Sequence, residues 1–126
     1  MGHVQTEIVL VNPRRPELEP MTVTALVNTG AVSLCIPEHI QTQLDLEVAE
    51  TREATMADGS RRKMDYVGPV HVQFGSRSSF TGALVMGDEV LLGCIPLEDM
   101  DLVVNPKLRT LTVNPDSPNY ATNRVK

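Results

Sequence analysis

The chain has 126 residues, of which 41% are apolar, and this length suits one domain with a single core. Aromatic residues make up only 3%, so we expect the core to consist of Val, Leu, Ile and Met side chains, which suit β-strands. Sixteen acidic and eleven basic residues give a formal net charge of -5, which argues against a nucleic-acid partner.

The sequence shows no membrane segment and no metal-ligand pattern. No apolar run approaches the ~20 residues that a membrane helix needs, and the first residues lack the apolar stretch of a signal peptide. We therefore expect a soluble, cytoplasmic protein without a membrane partner. Cys35 and Cys94 lack the spacing of a metal site, and a reducing cytoplasm favours two buried free thiols over a disulfide.

The first two apolar segments predict a β-hairpin. Between residues 4 and 11, Val4, Ile8 and Leu10 alternate with polar residues and share one face of a strand. Prolines interrupt the pattern until it resumes at residues 21–27. The second strand of the hairpin is expected to end at Asn28.

The run Ala25–Ala31 is an apolar strand that leads directly into a tight polar turn. Such a strand would deliver Asn28 to a fixed position, and Gly30 lets the backbone bend where a side chain would obstruct. This is the arrangement of a functional group delivered to a site.

A short strand and a short helix are predicted next. Residues 32–36 are apolar, and Pro37 is acceptable at the first position of a helix whose buried face carries Ile40 and Leu44. His39 lies outside that face, so we expect it in solvent rather than in a catalytic role.

The middle of the chain predicts two further hairpins. Polar residues 47–56, a strand or loop, lead to a turn sequence that closes hairpins, namely Ala57, Asp58, Gly59 and Ser60. The basic run 61–63 is predicted to be a solvated strand edge. Residues 70–74 alternate as a half-buried strand with His71 facing outward, and residues 75–79 turn the chain back into a strand over 80–86.

The last regular segments follow residue 88. Residues 89–93 predict a strand that ends in a close backbone approach at Gly93, followed by a short helix over 95–100. Residues 102–107 predict a strand and a turn, and 108–113 another strand. We therefore expect one domain over 1–126, regular over about 4–114, with a polar and loosely held tail over 115–126.

Two of these motifs resemble the signature of the retropepsin-like (clan AA) aspartic proteases. They are Asn28-Thr29-Gly30-Ala31 after an apolar strand and, about sixty residues later, Leu91-Leu92-Gly93. The family has Asp-Thr/Ser-Gly-Ala at the first motif, so Asn28 occupies the position of the catalytic aspartate. The resemblance covers about residues 4–114 and implies an all-β, closed barrel-like subunit with one or two short helices.

The resemblance also implies an aspartic endopeptidase that works as a homodimer on a peptide substrate. Its mechanism needs two carboxylates that share one proton, and a chain this short carries only one such turn. Thr29 would brace the two turns, and Gly30 and Ala31 would place backbone beside the substrate. Residues 57–60 would be the flap over the peptide, although an ordinary exposed turn is the alternative. No metal or organic cofactor is implied.

Asn28 changes what this chemistry can achieve. An amide keeps the size and hydrogen bonding of a carboxylate but cannot ionise, and loss of a general base removes a factor of ~10²–10⁴ in rate. The chain as written should bind peptides and scarcely cut them. We favour an engineered Asp-to-Asn change, because the rest of the motif is intact. The alternatives are a native pseudoprotease that acts as a peptide-binding or dimerisation module, and an unrelated small β-barrel in which Asn-Thr-Gly is merely a turn.

Overall fold

The structure is a computed structural model that describes residues 3–125, and its regular elements are almost all β-strands. In chain order they are β1 (Val4–Val11), β2 (Met21–Val27), β3 (Leu34–Ile36), α1 (Glu38–Gln43), β4 (Val48–Thr55), β5 (Arg61–Phe74), β6 (Arg77–Val85), β7 (Val90–Leu92), α2 (Cys94–Asp99), β8 (Leu102–Asn105) and β9 (Thr110–Val113).

Six of the strands close into a barrel. The main sheet has the order β1-β2-β7-β3-β6-β5-β4, and β1 also pairs with β5, which joins the two sides of the sheet. β4 extends outward from β5, and β8 and β9 form a separate hairpin. The predicted all-β, barrel-like fold with two short helices is therefore confirmed.

The predicted first hairpin forms with the predicted strand alternation. Antiparallel pairing of β1 with β2 places Val4 opposite Val27 and Ile8 opposite Val23. Ile8 and Leu10 are buried, as is Ala25 on β2. Period-2 burial thus fixes which face of the hairpin closes the barrel.

The core consists of aliphatic and methionine side chains, as the composition predicts. Residues from the barrel strands and from both helices meet in one cluster, and its fully buried members include Leu34, Val72 and Leu92 from strands together with Leu44 and Met100 beside the helices. Among the described residues, the aromatic side chain packed against this cluster is Phe74, which is only partly buried.

The position of β7 dictates the path of the chain near Asn28. β7 runs parallel to β2 on one side and antiparallel to β3 on the other. The connection from β2 to β3, residues 28–33, must therefore cross over the end of β7. We call this connection the Asn28 loop.

Several predicted boundaries shift by one to three residues. β3 begins at Leu34 rather than at residue 32, because the carbonyls of Ala31 and Val32 accept backbone hydrogen bonds from the start of α2. Pro37 is the N-cap of α1 in an extended conformation, not its first helical residue. These shifts leave the predicted buried face of α1 unchanged, since Ile40 is buried as expected.

The later boundaries shift for similar local reasons. β6 begins at Arg77 instead of residue 80, because Gly75, with φ +56°, already reverses the chain. β9 begins at Thr110 instead of residue 108, after Arg109 with φ +55°. Of the two free thiols predicted to be buried, Cys35 is buried and Cys94 is only half-buried.

Residues 114–125 contain no helix or strand, and part of this segment is bonded to the barrel. The buried Arg77 guanidinium donates to the carbonyl oxygens of Met100 and Ser117, and the Thr122 amide donates to Asp101. In residues 3–125, neither helix has the length and apolar character that crossing a membrane demands.

Candidate functional site

Asn28 is held by its backbone on one side and by its side chain on the other. Its backbone N–H donates to the Leu92 carbonyl oxygen at 3.0 Å, which extends the pairing of β2 with β7 by one residue. Its Oδ1 accepts the Gly30 amide at 2.9 Å, and its carbonyl accepts the Ala31 amide at 3.1 Å. The half-buried Asn28 thus sits in a turn that its own side chain closes.

Gly93 supports the Asn28 loop from below. A Cβ atom there would lie 2.8 Å from the Ala31 carbonyl oxygen and closer still to that of Ser33. Just beyond Gly93, the Cys94 amide donates to Ala31 at 2.8 Å and the Ile95 amide donates to Val32 at 2.9 Å. The glycine of the Leu91-Leu92-Gly93 motif therefore lets α2 begin directly against the loop.

The Cys94 thiol makes a further contact that the sequence did not indicate. Its Sγ lies 2.9 Å from the carbonyl oxygen of Thr29 and donates to it. The Thr29 side chain is exposed, and among residues 3–125 it takes part in no hydrogen bond. Its predicted bracing role therefore remains a prediction.

A cleft of about 760 Å³ separates the Asn28 loop from the hairpin of β4 and β5, which we call the flap hairpin. We call this space the central cleft. The loop side of the cleft is lined by Asn28, Gly30, Ala31, Val32 and Ser33. The flap side is lined by residues 52–57, and the remaining wall consists of Cys35, Leu84, Met86 and Leu91.

The predicted flap turn is a tight hairpin turn, but only its first residue lines the central cleft. Ala57 does so, whereas Asp58, Gly59 and Ser60 lie outside the lining residues. Asp58 Oδ1 accepts hydrogen bonds from the Ser60 amide at 2.8 Å and from the Ser60 hydroxyl at 2.6 Å, and these bonds lower the pKa of Asp58.

Ionisable side chains are few at the central cleft. Arg52 and Glu53 are the charged residues among those that line it, and Glu53 lies 3.5 Å from Arg61 in an ion pair. Within residues 3–125 no group of three or more acidic, histidine or cysteine side chains is arranged to hold a metal ion. At residue 28 itself, the amide can donate and accept hydrogen bonds but cannot transfer a proton as a carboxylate does.

A second, smaller cleft of about 310 Å³ lies on the other side of Asn28. Asn28 and Thr29 form one wall, and Val104 and Pro106 from the β8–β9 hairpin form part of the other. The rest of the lining is mainly apolar and consists of His3, Val4, Leu26 and Val27. Asn28 is therefore accessible from two clefts.

Comparison with known proteins gives a likeness in structure and none in sequence. No family model matches the chain, and no curated protein matches it in sequence. Among solved structures it is similar to the solution structure of Simian Foamy Virus (mac) protease, with a TM-score of 0.48 and 17% identity, over 73% of this chain and 91% of that chain. The functional conclusion therefore depends on the geometry of the Asn28 loop and the central cleft.

The structure brings together residues from both halves of the sequence. Asn28, Gly30 and Ala31 share the central cleft with Leu91, and Leu92 and Gly93 lie directly against the loop. The residues that sequence reasoning missed include Arg52, Met56, Leu84, Met86 and Cys94, which have no motif of their own. Only their place in the barrel brings them to the loop.

Proposed function

We propose that this chain supplies one half of an aspartic-type endopeptidase site, in an Asn28 form that binds peptides without cutting them. The observation that carries the proposal is the Asn28 loop itself. Asn28, the first residue of this loop, is fixed by two backbone hydrogen bonds and one through Oδ1, at the edge of a cleft that the flap hairpin covers from the opposite side. A group fixed in this way beside a peptide-sized space is suited to chemistry on a bound backbone.

The hydrogen bonding supports the idea that an aspartate fits at position 28. Asn28 Oδ1 acts only as an acceptor toward the Gly30 amide, and a carboxylate oxygen would accept the same bond. Among the described residues, Asn28 Nδ2 donates to no partner. Replacing this NH₂ group by oxygen therefore breaks no bond within the described chain.

The mechanism requires two chains because each carries one such turn. We propose that a second copy packs against the smaller cleft beside Asn28 and Thr29 and brings its own residue 28 into the site. In favour of this arrangement, that cleft is mainly apolar, and Val103 on the neighbouring strand β8 is 39% exposed. With aspartate at both positions, close like charges would force one carboxyl to hold a proton while the other activates water.

Restoring the carboxylate tests the proposal. We expect the Asn28→Asp protein to cleave an unfolded protein substrate at mildly acidic pH, at least about 10²-fold faster than the unchanged chain. Asn119→Asp makes the same chemical change at an exposed position in the C-terminal segment and should gain no activity. Solution mass measured on the same samples should show a dimer.

Two results would contradict the proposal in different ways. A strictly monomeric protein at high concentration would leave the half-site without its partner. A dimeric Asn28→Asp protein that binds peptides but does not cut them would instead support the alternative, a peptide-binding or dimerisation module. The Asn28 loop keeps its backbone bonds and the bond from the Gly30 amide to Oδ1 with an asparagine in place, which favours keeping that alternative.

A further inference from the structure

Arg52 is a cationic side chain on the flap side of the central cleft. It lies on β4 and lines the same cleft as Asn28, with 44% of its side chain exposed. The surrounding lining is largely apolar and includes Val32, Met56 and Met86. A guanidinium at the edge of an apolar cleft must be held by a specific contact, since an arginine side chain can otherwise extend into solvent.

The guanidinium is held by an aromatic ring. Arg52 Cζ lies 3.6 Å from the centroid of the Tyr66 ring, in a cation–π contact. Tyr66 in turn rests against Gly82 on β6, where a Cβ atom would overlap the ring. Gly82, Tyr66 and Arg52 are therefore stacked in layers. Gly82 leaves room for the Tyr66 ring, and the ring holds the guanidinium of Arg52.

This arrangement leaves hydrogen-bond donors free. Glu50 Oε2 lies 3.3 Å from Arg52 Nε, and among residues 3–125 the guanidinium donates no hydrogen bond that meets normal geometry. A guanidinium has five N–H donors in one plane, so the Nη groups can still engage a second carboxylate. A stacked guanidinium also loses less freedom than a mobile one when it binds.

The neighbouring Glu53 leaves Arg52 able to bind a second carboxylate. It also lines the central cleft, but it is paired with Arg61 on the facing strand of the flap hairpin. Arg61 is itself outside the lining and its side chain is 74% exposed. The cleft thus offers one pre-positioned cation that has unused donors.

We propose that Arg52 is a specificity-determining residue that selects peptides carrying an aspartate or glutamate side chain among apolar neighbours. This inference rests on the proposed peptide-binding function of the central cleft. It adds the class of peptide, which the Asn28 loop does not define.

The test uses fluorescein-labelled ten-residue peptides of apolar residues, in which a single Glu is moved along the sequence. Matched sets carry Gln or Lys at the same position, and binding to the Asn28 protein is followed by fluorescence anisotropy. At one position or more, we expect the Glu peptide to bind about tenfold more tightly than the Gln peptide, the lower end for a charge-assisted hydrogen bond. The Lys peptide should bind most weakly.

Two variants separate Arg52 from general charge effects. Arg52→Gln should abolish the preference for Glu over Gln, whereas Arg62→Gln removes the same charge from an exposed position on the same hairpin and should preserve it. Circular dichroism checks that both variants are folded. Equal binding of Glu and Gln peptides at every position, or a preference that survives in Arg52→Gln, would overturn the inference. Failure of every peptide to bind would overturn the proposed function itself, and this inference with it.

Discussion

Substitution of Gly93 by alanine tests whether the Asn28 loop depends on the close approach beneath it. Gly93 has φ −87° and ψ −174°, a conformation that alanine adopts without strain. If there were room for the added Cβ atom, Gly93→Ala would stabilise the protein by ~0.4–1 kcal/mol, because alanine restricts the conformations of the unfolded chain. The structure predicts the opposite sign.

The magnitude follows from the atoms that the new methyl group would meet. They are the Ala31 and Ser33 carbonyl oxygens and the Val32 carbonyl carbon, all of them backbone atoms that cannot rotate away. Displacing them costs about 1–3 kcal/mol as overpacking. It also weakens the two amide bonds from the start of α2 to the loop, at about 0.5–1.5 kcal/mol each. We expect a total loss of about 2–6 kcal/mol in the free energy of unfolding.

Thermal and urea unfolding followed by circular dichroism measure this loss. For a chain of this size the expected decrease in Tm is about 8–24 °C, at about 4 °C per kcal/mol. Gly75→Ala is the matched control, because nothing lies near its added Cβ but its φ of +56° imposes strain of about 1 kcal/mol. If Gly93→Ala is as stable as the unchanged protein, or loses less than Gly75→Ala, the loop does not rest on this glycine.

Three further predictions concern other parts of the molecule. Arg77→Met should lower the free energy of unfolding by about 2–3 kcal/mol and speed limited proteolysis within residues 114–123, because the buried guanidinium joins the Ser117 carbonyl of that segment to the Met100 carbonyl. The pKa of Asp58, lowered by hydrogen bonds from Ser60, should rise toward its ordinary value in Ser60→Ala when followed by NMR titration. Because the pKa of Asp58 is lower in the folded protein than in the unfolded chain, its hydrogen bonds stabilise the fold above the unfolded pKa, and this stabilisation is lost as the pH falls through the folded pKa. An Asp58 titration that is unchanged in Ser60→Ala would contradict this prediction. One thiol should react quickly with a thiol reagent in the native protein and two after denaturation, because burial shields Cys35 and raises its pKa whereas Cys94 is half-exposed; two fast thiols in the native state would be the contrary result.

Local patterns predicted the elements of this fold well. The alternation of Val4, Ile8 and Leu10 identified a half-buried strand, because side chains on a strand alternate between faces whatever the strand pairs with. The turn at Asp58-Gly59 was equally predictable, since Gly59 adopts φ +87°, which glycine accepts readily. Such signals lie within a few residues of sequence and need no knowledge of the tertiary structure.

Contacts between distant segments were not predictable in the same way. The thiol of Cys94 reaches the Thr29 carbonyl only because β7 is inserted beside β2. Gly82 looked like an ordinary strand residue, although its missing side chain makes room for the Tyr66 ring under Arg52. One residue carries no sign of its partner when the two are brought together by sheet order alone.

The insertion of β7 also couples stability to the site. The backbone N–H of Asn28 donates to Leu92, the last residue of β7. Later in the same loop, the carbonyls of Ala31 and Val32 accept hydrogen bonds from the first residues of α2. Between these two attachments lies Gly93, so any change that lifts the loop from the glycine must move residue 28 relative to the flap hairpin. A destabilised Gly93 variant should therefore lose peptide binding even at temperatures where it remains folded, whereas a variant that loosens only the C-terminal segment, such as Arg77→Met, should retain it. Peptide binding is measured well below the Tm of each variant. If Gly93→Ala binds peptide as tightly as Arg77→Met does, the loop is positioned independently of the backbone beneath it.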